Sequence, residues 1–156
     1  MYRYFIYLAY NGKNYCGWQR QPNGLTVQQC VEEALTVLLR KTVSIVGAGR
    51  TDAGVHARLM VAHLDLEEVI GNLPLMADRL NRLLPKDIAI DRIVPVRTDA
   101  HARFDALSRT YHYYVATGKD AFNHAFVLQL HNLPDVAAMN EACHVLCRYT
   151  DFTSFS

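Results

Sequence analysis

Gly47-Ala48-Gly49-Arg50-Thr51-Asp52-Ala53-Gly54-Val55-His56 is the stretch on which the fold and the function of this chain both depend. Apolar segments flank this glycine-rich loop at residues 43–46 and 59–64, and both favour strands. Its glycines permit a tight turn and the close approach of a partner. Arg50 and Asp52 lie among small neighbours, which fits either a site of chemistry or a polar hairpin in which Asp52 caps a turn.

A strand-helix-strand run is predicted before the glycine-rich loop. An aromatic, alternating strand covers residues 2–10, a helix begins at Thr26 and ends near residues 40–41, and a β-branched strand covers residues 43–46. Gln29 follows Thr26 by three residues, which is typical of a capping box. The apolar face of the helix is predicted to comprise Val27, Val31, Ala34, Leu35, Leu38 and Leu39.

A second strand-helix-strand run is predicted after the loop. Its strands cover residues 60–66 and 88–96, and its helix covers residues 74–84 with a proline in the first turn. Glu32 and Glu33, on the polar face of the earlier helix, are expected to face solvent. The order strand, helix, strand, strand, helix, strand predicts an α+β, ferredoxin-like fold similar in architecture to an RRM, with the glycine-rich loop at the rim of the sheet.

The remaining residues predict the start of a second α+β half. A polar connector at residues 98–106 leads to a strand at 107–117, which is expected to pair antiparallel, and then to a helix at 134–147. We therefore expect a ferredoxin-like domain at residues 1–105 and an incomplete second domain at residues 106–156. Because a compact domain rarely ends after one strand and one helix, we expect this sequence to be part of a longer protein.

Composition constrains the partners only weakly. Hydrophobic residues make up 51% of the chain and charged residues 20%, which is ordinary for a globular protein. The N-terminal residues match neither a signal peptide nor a membrane span, so a cytoplasmic location is expected. The net charge is +1, but twelve of the sixteen basic residues are arginines. Arginine suits phosphate recognition and base stacking, although its use also follows genomic base composition.

Metal-binding patterns are weak in this sequence. The four cysteines are scattered, which is typical of reduced, partly buried thiols. Cys143 and Cys147 are four residues apart, but no further ligands follow at the spacing of a zinc site. Asp52 could also combine with histidines in a metal hydrolase, yet no diagnostic spacing occurs among His56, His63 and His101. We therefore expect no metal.

The glycine-rich loop matches neither of two common phosphate-binding motifs. A dinucleotide-binding loop would place a glycine where Asp52 stands and would open a helix, whereas a strand follows here. Gly49 and Gly54 have the spacing of a P-loop, but the Lys and Ser/Thr that complete that motif are missing. What remains is carboxylate chemistry, since an aspartate beside an arginine such as Arg50 is a competent nucleophile or base.

Aromatic and basic residues outside the loop suit an extruded nucleotide held by stacking and phosphate contacts. For Trp18 the alternative is a core position, and for Gln19 and Arg20 the alternative is simple solvation. The candidates for RNA contact are Trp18, Gln19, Arg20, Arg103, Phe104, Arg109 and Tyr111.

Five separated motifs resemble, in order, those of the TruA family of tRNA pseudouridine synthases. They comprise residues 15–21 (YCGWQRQ), 49–56 (GRTDAGVH), 101–104 (HARF), 108–113 (SRTYHY) and 151–155 (DFTSF). The resemblance covers essentially the whole chain, but only the N-terminal portion of a typical family member.

The resemblance implies an isomerase that converts uridine to pseudouridine at positions 38, 39 and 40 of the tRNA anticodon stem-loop, without a cofactor or metal. Asp52 matches the essential aspartate, which attacks either C6 of the base or C1′ of the ribose. Arg50 matches the arginine that pairs with this aspartate and helps to displace the target nucleotide. Tyr111 matches the tyrosine that stacks on the flipped base. A positively charged cleft between two α+β halves and a homodimer are also implied.

The family draws a further basic residue and apolar wall positions from its C-terminal half, which these residues do not include. The chain alone is therefore expected to be inactive. Two alternatives remain from the residues themselves. A non-catalytic, RRM-like RNA-binding module would tolerate Asp52→Ala, and a metal hydrolase built on Asp52 and histidines would be sensitive to chelators.

Overall fold

The computed structural model describes residues 1–155 and divides the chain into two compact units. The first unit is Met1–Arg109, and the second begins at Thr110. The sequence had placed this boundary after residue 105. The segment that follows residue 105 remains with the first unit, where the side chain of Arg109 donates hydrogen bonds to the carbonyl oxygens of Ala48 and Arg103.

The first unit is an antiparallel sheet of four strands with two helices. Its elements are β1 (Tyr2–Tyr10), α1 (Val27–Leu39), β2 (Ile45–Gly47), β3 (Ala57–Leu66), α2 (Leu73–Leu83) and β4 (Ile88–Val96). The strand order is β2-β3-β1-β4, and every pairing in this sheet is antiparallel. The predicted α+β, ferredoxin-like fold is thereby confirmed.

One hydrophobic core joins the sheet of the first unit to its helices. Alternate residues of β1 are buried in this core, namely Tyr4, Ile6, Leu8 and Tyr10. Leu35 of α1 and Leu80 of α2 are fully buried in the same cluster. Burying a side chain of this size contributes roughly 1.5–3 kcal/mol. A shift of β1 by one residue would expose all four residues, so the pattern fixes the strand register.

The predicted start of α1 is confirmed, because the Thr26 hydroxyl oxygen accepts a hydrogen bond from the backbone N–H of Gln29 at 3.3 Å. The Gln29 side chain donates to Glu33 at 2.8 Å. The helix ends at Arg40, which has a φ of 54° in the left-handed region. A residue in this conformation is a common way to end a helix.

The expectation that Glu32 faces solvent is wrong. Only 5% of this residue is exposed, because β2 begins directly beside its carboxylate. The backbone N–H of Ile45 donates to the carboxylate at 3.0 Å, the Ser44 hydroxyl at 3.2 Å and the Gln28 side chain at 2.9 Å. Arg20 forms an ion pair with it at 3.2 Å. A buried carboxylate is tolerated when it is paired and hydrogen-bonded in this way.

The second unit contains β5 (Val115–Ala116), β6 (Leu128–Gln129) and α3 (Val136–Leu146). Two expectations for this half are wrong in detail. The strand expected over residues 107–117 forms only at β5, and β5 pairs with β6 in parallel rather than antiparallel. A strand forms only where a partner supplies ladder hydrogen bonds, and the long connection from β5 to β6 permits a parallel crossover.

The apolar face of α3 is exposed in this unit. Met139 is 53% exposed and Val136 is 62% exposed. Cys143 and Cys147 are also exposed, contrary to the expectation of partly buried thiols, whereas Cys30 in α1 is buried. Burial raises the pKa of the Cys30 thiol, which favours its neutral form. Among the described residues of the second unit, no element covers this face of α3.

Candidate active site

The glycine-rich loop connects β2 to β3 at one end of the sheet. Its first residues extend the strand ladder, since the backbone N–H of Ala48 donates to the Val61 carbonyl oxygen at 2.7 Å. A turn follows, closed by a hydrogen bond from the Val55 N–H to the Asp52 carbonyl oxygen at 3.2 Å. Gly54 in this turn has a φ of 80°, in the left-handed region that favours glycine.

A second segment, residues 11–24, packs along the glycine-rich loop, and we call it the support loop. Near its start, the backbone N–H of Gly12 donates to Nδ1 of His56 at 3.0 Å. Further along, the Tyr15 carbonyl oxygen accepts a hydrogen bond from the Gly54 N–H at 3.2 Å. The support loop therefore fixes the backbone on the C-terminal side of Asp52.

Contacts at Thr51 fix the backbone on the N-terminal side of Asp52. The Trp18 N–H donates to the Thr51 carbonyl oxygen at 3.3 Å. The Tyr10 hydroxyl lies 3.0 Å from the Thr51 hydroxyl. Gly17 has a φ of 81°, and a Cβ atom at this position would lie 2.1 Å from the Thr51 carbonyl oxygen. Only glycine permits this approach of the two loops.

Asp87 holds the beginning of the support loop in place. The Tyr15 hydroxyl donates to its carboxylate, and the Asn14 side chain donates to the other carboxylate oxygen at 3.3 Å. The backbone N–H of Asn11 donates to the Asp87 carbonyl oxygen at 2.8 Å. Burial and the hydrogen bond to Asp87 raise the pKa of Tyr15 well above its usual range, so this hydroxyl remains a donor.

Arg50 and Asp52 are both exposed on the glycine-rich loop. Within the part of the chain that the structure describes, no ion pair joins them, unlike the pairing that the family resemblance implied. Water competes effectively with ion pairs at exposed positions, which accounts for the separation. The exposed Asp52 carboxylate is accessible to a substrate.

A cleft of about 250 Å³ lies beside the glycine-rich loop and collects four of the predicted site residues. Arg50 and Arg103 provide two guanidinium groups, Gln19 provides an amide, and Trp18 forms part of the wall. Guanidinium and amide donors suit the phosphate and base edges of a nucleotide. The cleft therefore has the chemistry of a small nucleotide-binding surface.

Trp18 is a core residue, which was one of its two predicted alternatives. Its exposed fraction is 2%, and its ring lies stacked against Tyr10 with centroids 6.0 Å apart. A Cβ atom at Gly47 would lie 2.3 Å from the indole nitrogen, so β2 passes directly against the ring. A ring packed in this way offers no face to a base, and the prediction of a stacking role for Trp18 is wrong.

Five other candidates lie outside the cleft lining, among them Asp52 on the glycine-rich loop and Phe104. Arg20 pairs with Glu32 and lines a separate surface groove with Leu25. Arg109 donates to backbone carbonyl oxygens of the first unit. Tyr111 belongs to the second unit, where it is 61% exposed, and its role stays a prediction.

The 101–104 motif presents an aromatic ring to solvent. Phe104 is 76% exposed and stacks on His101, with ring centroids 4.2 Å apart. His101 in turn contacts His63 edge to face at 4.5 Å. His63 is buried, and its Nδ1 accepts a hydrogen bond from the backbone N–H of Ala102 at 3.2 Å. The buried histidine thus supports an exposed ring that is suited to stacking.

His63 is expected to make the free energy of unfolding depend on pH. Burial, together with nearby Arg3, lowers its pKa below the ordinary value of 6.5, so the unfolded chain binds this proton more tightly than the folded chain does. The free energy of unfolding is therefore expected to fall as the pH decreases through 6.5 towards the lower, folded pKa. Urea titrations between about pH 7.5 and 5 measure this slope.

The matched variant for the pH test is His63→Gln, whose amide oxygen can accept from the Ala102 N–H but does not titrate. This variant is expected to flatten the dependence. The hydrogen bond from Arg3 lowers the pKa of Asp65, so its contribution is lost only as the pH falls below about 3.8, outside the tested range. If the free energy of unfolding of His63→Gln depended on pH as steeply as that of the wild type, His63 would not be the group responsible.

Residues 1–155 contain neither a cluster of metal-binding side chains nor a helix that could span a membrane. No set of three or more His, Cys, Asp or Glu side chains is arranged to hold a metal ion there. No helix in the same range is long and apolar enough to cross a membrane. The expectation that the protein needs no metal stays a prediction.

Comparison with known proteins identifies the family. A family model described as tRNA pseudouridine synthase matches residues 6–105, which include the whole sheet beyond the first residues of β1 and the 101–104 motif. The chain belongs to the tRNA pseudouridine synthase family. The resemblance noted from its motifs is confirmed.

Relatives named tRNA pseudouridine synthase A match along essentially the whole chain. The protein from Parabacteroides distasonis is 68% identical over 156 residues, covering 100% of this chain and 62% of the relative. The Bacteroides thetaiotaomicron protein is 57% identical, covering 100% of this chain and 58% of the relative. A more distant relative from Rhodospirillum rubrum is 40% identical, covering 99% and 56%. The chain thus spans about three-fifths of the length of these family members.

Some residues that shape this candidate site were missed in the sequence. Glu32, Asp87 and Gly17 position the support loop without lining the cleft. The motif at residues 15–21 marked this loop in the sequence but not the contacts that hold it. Apart from Gln28, the partners of Glu32 and Asp87 are twelve or more residues away in sequence, so spacing gave no indication of them.

Proposed function

We propose that the full-length protein isomerises uridine to pseudouridine at positions 38, 39 and 40 of the tRNA anticodon stem-loop. Asp52 is the proposed catalytic carboxylate. Membership of the tRNA pseudouridine synthase family supports this proposal, together with one observation that carries it. The Asp52 side chain is exposed, whereas the backbone on both sides of it is hydrogen-bonded to the support loop. A fixed backbone with an accessible carboxylate is what covalent catalysis requires.

The proposed reaction begins with displacement of the target uridine from the helical stem. Asp52 then forms a bond either to C6 of uracil or to C1′ of ribose. In the C1′ route the C1′–N1 bond breaks, the uracil rotates, and a C5–C1′ bond replaces the bond to Asp52. In the C6 route Asp52 adds across the C5–C6 double bond, the C1′–N1 bond breaks, and the uracil rotates while bound to Asp52. C5 then bonds to C1′, and the bond between Asp52 and C6 breaks. In both routes C5 finally loses its proton, and N1 gains one, so the product is an isomer of the substrate.

Several residues have proposed roles in binding the tRNA. Arg50 and Arg103 contact phosphates across the cleft, and Gln19 contacts the RNA beside them. The exposed ring of Phe104 stacks on an unpaired base. Tyr111 stacks on the flipped uracil and assists removal of the C5 proton. A homodimer, a cytoplasmic location and activity without a cofactor complete the proposal.

Tritium release tests the proposed reaction. Anticodon stem-loop RNA that carries tritium at C5 of uridine loses the label to water only when C5 forms the new glycosidic bond. The full-length protein is expected to release the label in multiple turnovers, and an excess of chelator is expected to leave the rate unchanged. Tight RNA binding with full retention of tritium would support the non-catalytic module, and inhibition by chelator would support a metal hydrolase.

The isolated 156-residue chain is expected to release tritium at least about 100-fold more slowly than the full-length protein. The reason is that an active site held by only part of its walls loses the orientation of the substrate. The two proteins are compared at equal concentration with the same RNA. Turnover of the chain within threefold of the full-length rate would show that residues 1–156 are sufficient for catalysis.

A further inference from the structure

We propose that Arg109 is a positioning residue that holds the glycine-rich loop and one wall of the cleft, and is not a phosphate contact. This inference rests on the proposed function of that site. The Arg109 guanidinium donates to the Ala48 carbonyl oxygen from Nε at 3.1 Å and from Nη2 at 2.6 Å. Nη2 also donates to the Arg103 carbonyl oxygen at 3.0 Å. Nε and Nη2, which form one fork of the guanidinium, already bind backbone oxygens.

The peptide at Ala48 is held from both directions. Its N–H donates to the Val61 carbonyl oxygen at 2.7 Å, and its carbonyl oxygen accepts the two bonds from Arg109. Hydrogen bonds from a charged donor are stronger than neutral ones. Ala48 precedes Arg50 by two residues and Asp52 by four, so Arg109 fixes the point from which the reactive part of the loop departs.

Gly49 is shaped to receive this arginine. A Cβ atom at Gly49 would lie 3.1 Å from Nε of Arg109 and 3.5 Å from its Cδ. The first distance is closer than an ordinary van der Waals contact, so a side chain there would require the guanidinium to shift by a few tenths of an ångström. The lack of a side chain at Gly49 therefore leaves the space beside the backbone that the Arg109 side chain occupies.

The bond to Arg103 extends the effect across the cleft. Arg50 and Arg103 both line the cleft. Arg109 binds the carbonyl oxygen of Ala48, two residues before Arg50, and the carbonyl oxygen of Arg103. One planar guanidinium therefore ties the backbone of the glycine-rich loop to the backbone at Arg103. A lysine carries a single ammonium on a flexible stem, so it cannot reproduce this forked geometry although it keeps the charge.

The kinetic test uses Arg109→Gln and Arg109→Lys in the full-length protein with anticodon stem-loop RNA. Both variants are expected to lower kcat about 10- to 100-fold, since small displacements of reacting groups have effects of this size. The dissociation constant and its salt dependence are expected to stay within about twofold of the wild type. Weaker binding with a salt slope reduced by about one and an unchanged kcat would identify a phosphate contact and overturn the proposal.

Gly49→Ala is the decisive companion variant, because it disturbs the same contact and keeps every charge. It is expected to lower kcat as Arg109→Lys does, also without loss of RNA affinity. Arg79→Gln removes an exposed charge from α2 and is the control for the change in net charge, with kcat and affinity expected to match the wild type. A normal kcat in Gly49→Ala would overturn the proposal.

Amide hydrogen exchange gives a readout that does not depend on catalysis. In free full-length protein, Arg109→Gln and Gly49→Ala are expected to speed amide exchange at least about tenfold at residues 48–53 of the glycine-rich loop. Exchange in the strands of the sheet is expected to stay unchanged. If the wild type released no tritium, the proposed function would fail, while faster exchange would still support the positioning role. Unchanged exchange at residues 48–53 in both variants would overturn it.

Discussion

Asp52→Ala in the full-length protein is expected to lower pseudouridine formation by roughly 10⁴-fold or more, the scale on which loss of a catalytic nucleophile acts. Affinity for anticodon stem-loop RNA is expected to change by less than about threefold. Asp52 is exposed, and the contacts that shape its loop run through the backbone at Thr51, Asp52 and Gly54 and through the Thr51 side chain. Removing the carboxylate therefore leaves these contacts in place.

The measurement combines single-turnover tritium release with RNA binding for a short series of variants. Asp52→Asn keeps the size of the side chain and is expected to be as inactive as Asp52→Ala, since an amide is a poor nucleophile. Asp91→Ala removes an exposed carboxylate from β4 and is expected to retain full activity. A rate in Asp52→Ala above about one hundredth of the wild-type rate would eliminate Asp52 as the nucleophile.

Periodicity predicted the first unit well because each of its elements buries one face in a common core. The bounds predicted for β1 and β4 agree with the structure, and those of α2 differ by one residue at each end. Thr26 marked the start of α1 through a local hydrogen bond that involves only residues three apart. Local patterns of this kind are available in a single sequence, so this part of the fold could be derived from it.

Contacts between residues that are distant in the chain could not be derived in this way. Helical spacing assigned Glu32 to solvent, because its donor Ile45 comes from a strand that follows the helix. Alternation identified residues 107–117 as able to form a strand, but it carries no information about a partner, and only Val115–Ala116 pairs. Arg109 was predicted to contact RNA because arginine suits phosphate, while its carbonyl partners were invisible in the sequence.

Gly17→Ala is expected to destabilise the first unit by about 3 kcal/mol and to impair catalysis as well. Gly17 has a φ of 81°, which costs alanine roughly 1–2 kcal/mol. Its Cβ would also lie 2.1 Å from the Thr51 carbonyl oxygen, and relieving such an overlap costs roughly 1–3 kcal/mol more. Because Thr51 precedes Asp52 directly, any movement that relieves the overlap displaces the carboxylate that we propose to be catalytic.

Alanine variants at three further glycines distinguish the conformational cost from the steric cost. Gly54 has a φ of 80° with open space at its Cβ position, so Gly54→Ala reports the conformational cost alone, roughly 1 kcal/mol. A Cβ at Gly12 would lie 2.0 Å from the Val55 carbonyl oxygen, and no positive φ occurs there, so Gly12→Ala reports the steric cost. Gly71 has neither constraint, and Gly71→Ala is expected to change stability by less than about 1 kcal/mol.

Urea unfolding of the four alanine variants, followed by tritium release in the full-length protein, completes the comparison. If close approach of the two loops positions Asp52, Gly17→Ala and Gly12→Ala lose activity at temperatures where they remain folded, and Gly71→Ala does not. The effect of Gly17→Ala on stability is expected to approach the sum of the Gly54→Ala and Gly12→Ala effects. A Gly17→Ala protein with wild-type stability and activity would show that the support loop does not determine the position of Asp52.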